Sequence, residues 1–447
     1  LPFRLPFCLP FRLPFCLSLG LCLRGCPLIE LGWIDNLIKS IRPYIAIRKE
    51  DQTLILVPNQ VYRLNSTGFY LLERLLGGER IEELTFNLEE REKEDVFAFF
   101  CDLRALVMGC VRDGEKRRAI EYLPYERPFT ELPVLSELAV TTRCNLNCRF
   151  CYNSHKDDDL DTENLKGLID VIALEAKVPS ISFTGGEPTL RDDLPHLIRH
   201  AKDLGLWTNL ITNGTRLTRN YVRILKDSGL DSIQISIEAA DPLTHDYLTT
   251  VKGSFNRTII GIKSALESGI KVHTNTTVNR ANRDSIILLP RFLKRLGLNR
   301  FSMNLMIPIG KGREDRSLWL SYQEMADLVP RIRREADKEE IEFIWYSPTP
   351  YCLFNPVASG LGNKSCAACE GLLSISARGE IMPCSSWPGS VGSLLNQSFK
   401  EIWFSPRAKE IRNWIHEPCQ GCEDRDLCRG ACPLFWEVLP CELHPVT

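Results

Sequence analysis

LSELAVTTRCNLNCRFCYN, residues 135–153, is the stretch on which the reading of this chain turns. Its first half is a short run of apolar and β-branched residues that reads as a strand. Its second half sets Cys144, Cys148 and Cys151 at the spacing C-x3-C-x2-C, with an aromatic residue, Phe150, directly before the last thiol. Three thiolates on one short loop can cover three corners of a [4Fe–4S] cube, which ordinarily takes four cysteines. One iron is then left open to another ligand. The competing reading is a zinc site with His155 as a further ligand, since zinc is commonly held by paired C-x2-C knuckles or by cysteine with histidine.

Outward from this loop, extended and helical segments alternate from Leu135 to Pro308. LSELAVTT is followed by a helix from Thr162, SISFTGG by a helix from Arg191, WTNLITNG by a helix from Thr218, and SIQISIEA by a helix near Ser254. KVHTNTTVN precedes a helix from Arg283, and RFSMNLMIP precedes a sixth helix after Ser321. Strands alternating with helices predict parallel βα units, and six of them predict a partial (β/α)6, TIM-like barrel. Such barrels carry their chemistry at the C-terminal ends of the strands. The polar and glycine-rich stretches fall there: FTGGEP (Gly185, Gly186, Glu187, Pro188) after strand two, Thr212 and Asn213 after strand three, Ser236 and Glu238 after strand four, and Asn275 with Thr277 on strand five. Glycine at such a position lets the backbone approach a ligand closely.

The thiol triplet, its aromatic and its place after strand one resemble the radical S-adenosylmethionine (SAM) superfamily, and FTGGEP is similar to that family's GGE motif. The resemblance implies a cluster at Cys144, Cys148 and Cys151 whose open iron is chelated by the amino and carboxylate groups of SAM. It also implies SAM contacts from Phe150, Gly185, Gly186, Glu187, Pro188, Thr212, Asn213, Ser236, Glu238, Asn275 and Thr277. One feature departs from the pattern. Relatives with auxiliary clusters often place an arginine three residues after a His-Asp pair, where it neutralises the SAM carboxylate; in HDYLTTVKG, residues 245–253, that place is held by Thr249. Lys252 is the candidate substitute.

The C-terminal quarter is rich in cysteine: Cys369-x9-Gly379-x4-Cys384, then Cys419-x2-Cys422-x5-Cys428-x3-Cys432, then Cys441. This spacing resembles the SPASM domain, an auxiliary iron–sulfur module. By that resemblance Cys369, Cys384 and Cys432 hold one [4Fe–4S] cluster and Cys419, Cys422, Cys428 and Cys441 a second. Cys366, nearest in sequence, and Cys352 compete to complete the first, with Cys366 preferred. A zinc ribbon is the alternative, because C-x2-C knuckles also bind zinc. Cys101 and Cys110, in or just after an amphipathic helix, read as buried structural thiols.

Ahead of the barrel, YIAIRKED, TLILVPN and VYRLN read as short strands, and helices are expected near Ser66 to Leu76, Arg80 to Leu88 and Lys93 to Val107. Together they suggest a winged-helix-like α+β domain. The stretch LILVPNQVYRLNSTGFYLLERLLGG, residues 54–78, resembles the small peptide chaperone of pyrroloquinoline quinone biosynthesis, a recognition element for ribosomally made, modified peptides. In that family a leader peptide adds a strand to the sheet edge. The acidic run EELTFNLEEREKED, residues 82–95, argues against the other reading, a winged helix on DNA phosphates.

Lysine and arginine number 55 against 57 acidic residues, which offers no field for wrapping nucleic acid. No run of about 20 apolar residues predicts a membrane span, and 18 cysteines in a large chain, crowded at Cys144–Cys151 and from Cys352 onward, suggest metal ligands in a reducing, cytoplasmic setting rather than disulfides. The opening LPFRLPFCLPFRLPFC repeats an octet and is broken by proline; it reads as disordered or as a mis-called start.

The expected organisation is therefore a leader over 1–40, a peptide-recognition domain over 41–110, a charged linker over 111–133, the barrel over 134–340 and a cysteine-rich iron–sulfur domain over 341–447. The expected activity is reductive cleavage of SAM and hydrogen abstraction from a precursor peptide, giving a crosslink or an oxidised side chain, with a flavodoxin or ferredoxin as electron donor. Alternatives are a radical SAM enzyme acting on a haem or pterin precursor, a formylglycine-forming sulfatase maturase, and a zinc-binding winged-helix regulator.

Overall fold

The computed structural model describes residues 29–111, 117–121, 128–153 and 159–439. The N-terminal repeat, His155 and Cys441 lie outside the described residues. The chain divides into two compact units, Leu1–Phe129 and Thr130–Thr447.

The first unit runs α1 (Trp33–Ile41), β1 (Ile45–Arg48), β2 (Thr53–Leu56), β3 (Gln60–Arg63), α2 (Ser66–Leu76), α3 (Ile81–Leu84) and α4 (Glu90–Val107). The strands form an antiparallel meander in the order β1-β2-β3. Asn65 starts α2 by accepting from the Gly68 N–H at 2.7 Å, and Glu89 with Glu92 forms a capping box at α4. Helix α1 corrects the expectation that residues up to 40 belong to a disordered leader. Ile34, Leu37, Ile38 and Ile41 recur at helical spacing and are buried, packed in one core with Leu54, Leu72, Ile81 and Phe100.

The second unit is a mixed α/β structure built on one ten-stranded sheet. β4 (Leu135–Thr141), β5 (Ser180–Gly185), β6 (Trp207–Thr212), β7 (Ser232–Ser236), β8 (Lys271–Val278) and β9 (Arg300–Leu305) are parallel and lie side by side in chain order. Between and after them come α5 (Thr162–Asp170), α6 (Leu194–Asp203), α7 (Arg219–Asp227), α8 (Pro242–Thr249), α9 (Ser254–Glu267), α10 (Leu289–Arg295), α11 (Lys311–Glu314) and α12 (Tyr322–Lys338). The sheet continues beyond the six expected strands. β10 (Glu342–Trp345) pairs parallel with β9, so the parallel sheet runs past residue 340. At the other edge β11 (Leu372–Ile375) pairs parallel with β4 and leads into an antiparallel turn of β12 (Glu380–Met382) and β13 (Gly392–Ser393). The cysteine-rich region is thus joined to the first barrel strand by backbone hydrogen bonds, residue Glu137 standing opposite Ser374.

Alternation along each strand sorts the side chains. Leu210, Ile233, Ile235 and Phe301 are fully buried in the core shared with the helices. The opposite face is polar and satisfied across strands: Asn209 Nδ2 donates to Ser182 Oγ (3.2 Å), Ser232 Oγ to Asn209 Oδ1 (2.8 Å) and Asn275 Nδ2 to Asn304 Oδ1 (2.8 Å), while His273 Nε2 lies 3.0 Å from Gln234 Oε1. A polar inner face of this kind is the wall of a ligand space rather than a packed core.

Candidate active site

A cavity of about 340 Å³ opens at the C-terminal ends of the barrel strands. Cys144, Cys148 and Cys151 line it together with Phe150, Gly185, Gly186, Thr212, Asn213, Ser236, Glu238, Asn275 and Thr277. Of the residues expected at the site in the barrel, Glu187 and Pro188 are not among the cavity-lining ones.

The thiol loop leaves β4 and is held at several points. Asp159 accepts from Thr141 Oγ1 (2.5 Å) and from the Thr142 N–H (2.7 Å), fixing the end of the strand. The Asn147 and Arg149 N–H groups donate to the carbonyls of Thr249 (3.2 Å) and Leu248 (2.9 Å), so the last turn of α8 anchors the loop by its otherwise unpaired carbonyls. The Lys311 N–H donates to the Cys151 carbonyl at 3.0 Å. Phe150 packs on Leu248, Met306 and Leu318 in a small apolar cluster that seats the loop.

Burial pushes all three thiols up, Cys144 to about 11 and Cys148 well above the ordinary thiol value; the nearby carboxyl groups of Glu187 and Glu238 add to this at Cys144 and Cys148 respectively. Without a cation these are thiols, and binding of iron would release their protons. A metal cluster that supplies positive charge fits such a site. Among the described residues, no three His, Cys, Asp or Glu side chains come together closely enough to hold a single metal ion.

The GGE segment packs against the root of the thiol loop. The Gly186 and Glu187 N–H groups donate to the carbonyls of Thr141 and Arg143, each at 2.8 Å. Gly185 has φ of +135°, and a methyl group at either glycine would overlap the carbonyl oxygen of Thr141 or Arg143. Glycine is required here for approach of backbone to backbone. Glu187 is fully buried and acts as a brace. Its Oε1 accepts from the Thr189 N–H (3.1 Å), Thr189 Oγ1 (2.6 Å) and Thr212 Oγ1 (2.7 Å), and its Oε2 from the Asn213 N–H (2.8 Å). The carboxylate thereby links the end of β5 to the end of β6 and aims Asn213, whose Nδ2 donates to Asn145 Oδ1 (2.8 Å) in the thiol loop.

On the other wall, Glu238 Oε2 accepts from the Thr277 N–H at 2.9 Å, and burial raises its carboxyl to about 8. The Glu238 N–H donates to His245 Nδ1 at 3.1 Å. Asp246 accepts from the Gly253 and Phe255 N–H groups (2.6 and 2.9 Å) and from Ser254 Oγ (2.8 Å), tying the 250–254 turn to the start of α9. Lys252 is exposed and outside the cavity lining. The structure therefore does not bring forward the lysine expected to replace the arginine.

Among the lining residues that the sequence reading did not propose for the site are His245 and Glu137. Glu137 is the one ionisable residue in β4, and that is the signal by which it could have been found. Its Oε1 accepts from Ser374 Oγ (2.6 Å) and the Ser385 N–H (3.0 Å), and burial pushes its carboxyl up. It faces the cavity where Ser385 and Ser386 follow Cys384.

In the C-terminal region Cys369 and Cys432 are buried and Cys366 and Cys384 half-buried. After burial itself, Cys366 is a cause of raised thiol values at Cys384 and Cys432, and it contributes in the same direction at Cys369. These four are therefore neighbours, and Cys352 is exposed. Of the second set of thiols, Cys419 and Cys422 share a turn in which the Cys422 N–H donates to the Cys419 carbonyl (3.1 Å), and Cys428 Sγ accepts from the Tyr351 N–H (3.4 Å). Gly379, with φ of +77°, makes the turn between β11 and β12. Cys101 is half-buried, whereas Cys110 is exposed, contrary to the expectation for it.

Comparison with known proteins agrees with this geometry. Residues 138–287 match the radical SAM superfamily and residues 366–423 the SPASM iron–sulfur cluster-binding domain. The chain is 29% identical over 333 residues to the AdoMet-dependent heme synthase of Methanosarcina barkeri, covering 68% of this chain and 92% of that protein. It is 28% identical over 320 residues to the PqqA peptide cyclase of Xanthomonas campestris, covering 67% and 81%. Among solved structures, Streptococcus suis SuiB bound to its precursor peptide SuiA shares the fold with a TM-score of 0.68 at 18% identity, over 88% of this chain and 95% of that one. The chain thus carries a radical SAM domain, with its [4Fe–4S] cluster and SAM, followed by a SPASM auxiliary iron–sulfur domain.

Proposed function

We propose that this radical SAM enzyme modifies a ribosomally made precursor peptide. The observation that carries the reading is the separate N-terminal unit, whose three-stranded antiparallel sheet has β1 and β3 as its edges. An edge strand offers unpaired backbone groups to an extended peptide, the chemistry of strand addition. When bound, the cofactors supply the electron that cleaves SAM and the 5′-deoxyadenosyl radical that removes a substrate hydrogen.

The chain's own part is positional. Cys144, Cys148 and Cys151 hold the cluster whose open iron takes SAM; Gly185, Gly186, Thr212, Asn213, Ser236, Glu238, Asn275 and Thr277 form the walls of the SAM site, with Glu187 and Pro188 supporting them from behind. Cys366, Cys369, Cys384 and Cys432 are assigned to one auxiliary cluster, and Cys419, Cys422, Cys428 and Cys441 to the other. A flavodoxin or ferredoxin is the expected electron donor. The similarity to a heme synthase favours a second reading, a porphyrin-type small molecule as substrate.

Anaerobic reconstitution with iron, sulfide, SAM and a reductant should yield 5′-deoxyadenosine. Cys148→Ala should abolish it, while Cys428→Ala should spare it. Zinc without iron or acid-labile sulfide would end the radical reading. A short peptide encoded beside the gene, added to the full-length chain, should slow amide exchange in β1 or β3. If no neighbouring peptide does so while a porphyrin precursor stimulates 5′-deoxyadenosine formation, the small-molecule reading prevails.

A further inference from the structure

We propose that His245 takes the place of the missing arginine, its Nε2–H donating to the carboxylate of bound SAM. His245 is 1% exposed, sits on α8 and lines the cavity. Its Nδ1 accepts the Glu238 N–H at 3.1 Å, which fixes the tautomer: the ring proton lies on Nε2. That nitrogen is buried and has no partner within the described structure. A buried donor without an acceptor is costly unless a ligand supplies one.

Charge and position identify the acceptor. Among the described residues no lysine or arginine lines the cavity, so an anionic ligand group there depends on neutral donors. The hydroxyl of Thr249, at the arginine's place, is already used: it donates to the His245 carbonyl (2.9 Å) and lies 2.7 Å from Ser254 Oγ. Helix α8 is also the element whose last carbonyls hold Asn147 and Arg149 of the thiol loop. An amino-acid end of SAM bound at the open iron would thus meet the wall of the cavity that α8 and His245 supply. Glu238, tied to the same ring, adds a carboxyl group. The assignment rests on SAM occupying this cavity.

The test separates the donor from the brace. His245→Asn keeps an acceptor near Nδ1 for the Glu238 N–H and loses the distal donor, whereas His245→Gln keeps a donor near Nε2. Binding of SAM and of decarboxylated SAM is measured on the anaerobically reconstituted full-length chain, with iron content as the control for folding. His245→Asn should weaken SAM binding about tenfold or more, as for a hydrogen bond to a charged group, and decarboxylated SAM by less than about twofold. His245→Gln should hold SAM within about threefold of the parent. Equal weakening of both ligands, or loss with Gln and not with Asn, would leave His245 as a brace for Glu238 and overturn the proposal. A parent chain that binds iron but neither ligand would remove the SAM site itself, and this role with it.

Discussion

His273 shows what one half-buried, inward-facing side chain contributes to the acid limits of this fold. It sits on the polar inner face of β8 against Gln234, and burial lowers its imidazole from 6.5 to about 4, with Arg300 acting in the same direction. Folded chains keep it neutral between those values, while unfolded chains protonate it. The unfolded state then binds more protons, so this contribution to stability rises with pH across the window and is lost as pH falls through it. His273→Gln should remove up to about 3 kcal/mol of acid sensitivity between pH 6.5 and 4, read as a shallower pH dependence of the urea midpoint. An unchanged acid limb would mean that His273 is solvated in the native state. At this scale the sequence spoke clearly where chemistry demands a residue type at a fixed interval. Cys144, Cys148 and Cys151 were legible because thiolates are few and their spacing is short. Glu137 and His245 were not, because nothing in the local pattern says which face of a strand or helix meets a cavity.

Among the elements, the turn joining α8 to α9 decides how firmly the thiol loop is held. Asp246 accepts three hydrogen bonds at that turn, and these hold its carboxyl below the usual range in spite of the opposing effect of burial. Removing the acceptor leaves the Gly253 and Phe255 N–H groups unsatisfied. Asp246→Ala should cost about 1–2 kcal/mol in chemical denaturation. Because α8 also anchors Asn147 and Arg149, the variant should lose iron faster to a chelator than the parent does. Equal rates would show that the loop is held from the Asp159 and Lys311 side alone. The alternation of strands and helices from Leu135 to Pro308 could be read from sequence because each βα unit is locally periodic. β10 was missed because four residues give too short a pattern, and α1 because it adjoins a low-complexity repeat that drew the boundary outward. The pairing of β11 with β4 joins residues more than two hundred positions apart, and no local signal encodes it.

For the molecule as a whole, the two units rest on different sources of order. Residues of the first unit share a continuous apolar core in which Ile34, Leu72, Ile81 and Phe100 are fully buried. The cysteine-rich part of the second has short elements, among them α13 (Phe399–Trp403), α14 (Pro406–Arg412), α15 (Arg425–Cys428) and α16 (Pro433–Trp436). Burial pushes up its Cys384 and Cys432 thiols, so that their deprotonation needs a cation. Where metal binding and folding are coupled, removing the metal removes stability; a hydrocarbon core is indifferent to it. Stripping iron from the reconstituted chain with an anaerobic chelator should therefore raise amide exchange across 366–432 by tenfold or more, as expected for a loss of about 1.4 kcal/mol or more of local stability. Exchange across 33–107 should change by less than about twofold. Equal deprotection of both regions would show that the N-terminal unit depends on the clusters for its fold. Protection retained across 366–432 would show that side-chain packing, with Phe399, Trp403 and Phe435 at its centre, suffices there without iron.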